Sequence, residues 1–112
     1  MKLFDLAILS LSFGFAHAKD CVVTAGTSPC VQFGEGAYMD HNYVPTCGGN
    51  CFVYPFNAIR PSGTISRSTR CHAYSDYNCQ NQVLDTGDQW STFGDTFSNF
   101  GQAQSMICYY GC

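Results

Sequence analysis

Cys71-His72-Ala73-Tyr74-Ser75-Asp76-Tyr77-Asn78-Cys79 is a short β run that ends on a ring and breaks at once into a polar turn, with a cysteine at each end. Tyr suits a pleated, half-buried backbone, whereas Ser, Asp and Asn bond their own main chain and tolerate left-handed conformations. Outward from this stretch the same alternation recurs. Runs rich in Val, Ile, Tyr, Phe and Thr lie between clusters of Gly, Pro, Asn and Asp, and nowhere is the i, i+3, i+4, i+7 apolar spacing of a helix sustained. The pattern predicts an all-β domain with strands over 21–25, 30–34, 51–55, 63–68, 71–75, 82–84 and 105–110, and with turns over 26–29, 48–50, 61–63 and 75–78. Segment 88–99 reads equally as a short helix or an irregular loop.

The first residues predict an exported chain. Lys2 precedes an apolar run from Leu3 to Ala16, and Ala16-His17-Ala18 has the small-x-small form of a cleavage site. The run is too short for the ~20 residues of a membrane-spanning helix. Residues 1–18 are therefore expected to be a signal peptide and 19–112 one extracellular domain without a membrane anchor. A domain of that size has little core and depends on staples. All eight cysteines, Cys21, Cys30, Cys47, Cys51, Cys71, Cys79, Cys108 and Cys112, follow the leader, and an even count in an oxidising compartment predicts four disulfides. Connectivity is left open. Cys47-x3-Cys51 and Cys108-x3-Cys112 also have zinc-like spacing, but such sites belong to reducing compartments. No metal or cofactor is expected.

Past residue 18, four cationic side chains stand against seven acidic ones, a net charge of −3. Nucleic-acid binding wants a basic face, and attack on anionic membranes wants a basic amphipathic surface. Neither is present. Arg60, Arg67 and Arg70 form a local basic stretch, which reads as an exposed hairpin carrying solubilising charge.

The cysteine order repeats as C, C, CxxxC, which suggests two motifs, 19–56 and 57–112. In the second, Tyr74, Asp76, Asn78, Cys79 and Asn81 are followed by Phe97-Ser98-Asn99-Phe100 and by Ser105-Met106-Ile107-Cys108. This arrangement resembles a Greek-key motif of the βγ-crystallin superfamily. The resemblance implies a hairpin folded over its own sheet. Tyr74 takes the aromatic place, Asp76 and Asn78 the turn, and Ser105 the serine of the last strand. Asn81 stands where the family has Gly, and Asn is among the residues most tolerant of the left-handed region. The first half offers only a vague counterpart, at 24–30. Small secreted members of the superfamily include plant antimicrobial proteins, microbial killer toxins and effector-like proteins of plant-associated fungi. Two features depart from them: Phe100 and Gly101 occupy the calcium-ligand places, and the acidic balance differs from the cationic antimicrobial members.

The resulting expectation is a monomeric, non-enzymatic effector- or toxin-like protein that binds a host or competitor protein or a cell-wall glycan, and no nucleic acid. Trp90, Tyr109 and Tyr110 are the candidate binding residues. Trp90, in a Gly- and Asp-rich stretch, reads either as core or as a loop ring poised for recognition. A small hydrolase such as a ribonuclease is the alternative, with His41 or His72 as acid or base and Arg60, Arg67 or Arg70 on the phosphate. Against it, Asp40-His41-Asn42 reads as a polar loop and His72 as an outward strand residue. A structural wall protein associating through tyrosines is a further alternative.

Overall fold

A computed structural model describes residues 28–36, 38–90 and 95–112. The expected leader 1–18, the first strand 21–25, Cys21 and Phe93 lie outside the described residues, as does most of the 24–30 counterpart.

The described chain is all-β, with seven strands and no helix among the described residues: β1 (Cys30–Glu35), β2 (Tyr38–Tyr43), β3 (Phe52–Phe56), β4 (Ala58–Ser62), β5 (Thr69–Tyr74), β6 (Gln82–Asp85) and β7 (Ala103–Tyr110). They form two antiparallel sheets, ordered β2-β1-β4 and β3-β7-β5-β6. Consecutive strands β3 and β4 therefore enter different sheets. Beyond β4, Ile59 and Phe97 exchange both main-chain hydrogen bonds, at 3.0 and 2.9 Å, so a segment from late in the chain meets the free side of the first sheet.

Strand periodicity places the core. In β5, Thr69, Cys71 and Ala73 are buried while Arg70, His72 and Tyr74 face outward. The inner faces contribute Val31, Phe33 and Ile59 from one sheet and Phe56, Cys71, Ala73 and Met106 from the other. Phe33 is the centre: Phe52, Tyr54, Tyr43 and Phe56 present ring edges to it at centroid distances of 5.5 to 6.1 Å, the geometry that aromatic quadrupoles favour.

Three disulfides join described residues: Cys47–Cys112, Cys51–Cys79 and Cys71–Cys108. Cys30 is also disulfide-bonded, to a partner outside the described residues, and no described cysteine is free. The cysteines of each CxxxC stretch part company, so zinc-like spacing carries no site here. Cys71 and Cys108 are direct cross-strand partners with Cα atoms 4.0 Å apart. These bridges fit an oxidising compartment. No helix among the described residues is long and apolar enough to cross a membrane.

Three expectations need correction. Residues 63–68 are a loop, not a strand, closed by Thr64 N–H donating to the Arg67 carbonyl at 2.8 Å. A strand occupies 58–62 instead. Pro61 sits in it at a sheet edge, where a missing N–H is tolerated. Arg60, Arg67 and Arg70 thus lie on β4, the loop and β5, a crossover between sheets and not a hairpin. Asp40-His41-Asn42 belongs to edge strand β2 and not to a loop, its polar residues being tolerable where one side of the strand meets water.

Candidate recognition cleft

The 75–81 hairpin is organised by one carboxylate. Asp76 Oδ2 accepts from the Asn78 N–H at 3.0 Å, and Oδ1 from the N–H groups of Gln80 and Asn81 at 3.1 and 2.8 Å. These donors, Asn81 first, hold the Asp76 carboxyl below the usual carboxylate range. Ser105, fully buried, donates from Oγ to the Asp76 carbonyl at 2.5 Å. Tyr74 is half-buried beside it, opposite Ser105 in the β5–β7 pairing. The left-handed residue is Cys79, at φ 55°, and not Asn81 as expected; the Cys51–Cys79 bridge fixes that position. Phe100 turns its ring onto Phe56 at 5.9 Å and packs against the core.

Trp90 and Tyr109, far apart in the chain, line one cleft of about 360 Å³ with Arg67, Arg70 and Asp88. The strand pairing is what brings them together. Tyr109 is on β7 directly opposite Arg70 of β5, and Gln89, next to Trp90, exchanges two main-chain hydrogen bonds with Thr69 at 2.8 Å each. Trp90 therefore projects from an anchored point, and about half of it (49%) is exposed. It is not a core residue.

The Tyr109 ring is held from two sides. His72 meets it edge-on at 6.2 Å. Gly49, at φ +64°, lies so close that a Cβ there would stand 2.1 Å from a ring carbon; only glycine fits both the approach and the backbone. Tyr110 points elsewhere, its hydroxyl 3.0 Å from Thr64 Oγ1, and does not line the cleft.

The cleft's charges are largely spoken for. Arg70 forks onto Asp85, with Nε 2.9 Å from Oδ1 and Nη2 on Oδ2, and this pairing holds the Asp85 carboxyl well below its usual range. Arg67 Nη1 donates to the Gly111 carbonyl at 3.1 Å. Asp88 in the lining and Gly49 against the Tyr109 ring are not among the candidate residues read from the sequence. Their signals were slight: an acid two residues before Trp90, and a Gly-Gly pair.

The two described histidines, His41 and His72, lie in different sheets. His41 on β2 shares a second cleft of about 420 Å³ with Glu35, Asp40 and Tyr54, its Nε2 2.8 Å from the Tyr54 hydroxyl and 3.3 Å from Asp40 Oδ1. Among the described residues no arginine lines it. His72 is 2.8 Å from Gln82 Oε1 and stands beside the Arg70–Asp85 pair. His72 and Arg70 share the outer face of β5, and the anion that both meet there is the Asp85 carboxylate.

Fold and cleft together define a small all-β, disulfide-stapled protein with an aromatic-lined surface cleft. Compared with protein-family models, curated proteins and solved structures, the chain matches none.

Proposed function

We propose that this is an exported, non-catalytic recognition module of βγ-crystallin-like type, acting in effector or toxin fashion by binding a target outside the cell through the Trp90–Tyr109 cleft. The observation that carries the reading is the half-exposed Trp90 lining one cleft with Tyr109, whose ring is held by Gly49 and His72. Exposing such a ring forgoes ~1.5 kcal/mol or more of burial, a cost that recognition explains, since large rings are the usual anchors of binding surfaces.

The crystallin-like assignment is supported by two features. Each half lends its third segment to the other half's sheet: β3 pairs with β7, while Phe97 pairs with Ile59 of β4. The second-half hairpin folds over β7 and is held there by Ser105. This reading puts the junction between motifs after Ser62, in the crossover loop, and not after Phe56. Export is supported by the leader-like sequence and the disulfides.

The test is retention of the oxidised protein on target-cell walls and extracellular extracts. Trp90→Ala should lower retention about tenfold or more, as for an interface anchor, and leave the melting temperature within about 2 °C, as for a surface change. Unchanged retention would move the binding surface away from this cleft.

A further inference from the structure

We infer, resting on the cleft assigned above, that its ligand is a neutral oligosaccharide, one sugar ring stacking on Trp90 and its hydroxyl edge facing Asp88 and Arg67. An anionic polymer would need a wall of net positive charge, but Arg70 is forked onto Asp85, and the negative charge of Asp88 stands against that of Arg67 in the same lining. The cleft is thus polar without being basic. Its attraction for uronates, sulfates or phosphates is correspondingly weak.

A peptide fits less well than a sugar. Extended peptides gain affinity by adding a strand to a sheet edge, and the strands that carry this cleft, β5 and β7, are both interior to their sheet, paired on either side. No ladder is on offer. What the cleft does offer is a half-exposed indole, a second ring in the same lining, and hydrogen-bonding side chains beside them. Asp88 makes no hydrogen bond among the described residues and is available as an acceptor; the remaining guanidinium N–H groups of Arg67 are donors. A pyranose has the matching two-sided character, with C–H bonds on its faces and hydroxyls, each both donor and acceptor, around its rim. The volume of about 360 Å³ sits near the lower end of small-ligand pockets, ~300 to 1,000 Å³, which suits a ring or two of a longer chain passing across the surface. Tyr109 is prearranged by Gly49 and His72, so binding does not have to order it.

Trp90 is the only tryptophan in the chain, and its fluorescence reports on the cleft directly. The oxidised protein is titrated, by fluorescence and calorimetry, with gluco-, manno- and N-acetylglucosamine hexasaccharides and with polygalacturonate. The expected result is saturable binding of at least one neutral hexasaccharide, with a change in Trp90 emission and little dependence on salt. Trp90→Ala should weaken it tenfold or more by calorimetry, Trp90→Phe less, and Asp88→Asn severalfold. Salt-sensitive binding of polygalacturonate alone would overturn the neutral class. Neutral binding that Trp90→Ala leaves intact would overturn the site. Should no glycan bind while an extract protein is retained in a Trp90-dependent way, the glycan inference fails and the cleft's role in recognition stands.

Discussion

Asp76 does the work of several residues, because one carboxylate answers three main-chain N–H groups and its own carbonyl receives the Ser105 hydroxyl. Ser105→Ala should cost about 1 kcal/mol for the lost bond, seen as a lower melting temperature. Tyr74→Ala should cost less than the ~3 to 5 kcal/mol of a fully buried ring, since Tyr74 is only half-buried. The pH dependence follows from the same carboxylates. Asp76 and Asp85 are both held below their unfolded values, so their contribution is complete above pH ~4 and is lost as pH falls through the folded values. Melts taken between pH 7 and pH 2 should decline below about pH 4. Asp76→Asn should start lower at pH 7 and decline less steeply; a parallel decline would remove Asp76 as a cause.

Between elements, the Cys51–Cys79 bridge joins the start of β3 to the hairpin over β7, closing 28 residues. Replacing both cysteines by Ser should destabilise by about 3 to 4 kcal/mol on loop entropy, measured by denaturant titration with the other bridges intact. A loss under about 1 kcal/mol would mean that Asp76 and Ser105 hold the hairpin unaided. The elements also differ in how far they can be read from sequence. The β1, β5 and β7 runs alternate apolar with polar residues or carry β-branched and aromatic side chains, and they are strands at close to their expected limits. The β2 strand carries Asp40-His41-Asn42 and β4 carries Pro61, residues whose local preference is for turns; pairing with β1 overrides it. Trp90 can be singled out by its Gly- and Asp-rich surroundings, and Tyr109 can be named beside it as a candidate ring. Their meeting cannot, because it depends on the β5–β7 register and on the Gln89–Thr69 bonds, which no local pattern encodes.

At the scale of the whole molecule, the exchange of β3 and of the Phe97 segment between sheets leaves neither half self-sufficient. Split within the 63–68 loop, the two fragments should each lack stable sheet structure by circular dichroism, and mixing them under a redox buffer should restore it. A fragment that folds alone would contradict this. The exchange also sets a problem of timing for a chain made from its first residue to its last. Cys47 and Cys51 are synthesised four positions apart, well before Cys79 and Cys112, their proper partners. While β3 waits for β7, the nearest thiol each can find is the other. Oxidation that runs ahead of strand pairing therefore traps a wrong bridge, and the yield of correctly folded protein rests on how quickly mistaken pairs are exchanged for native ones.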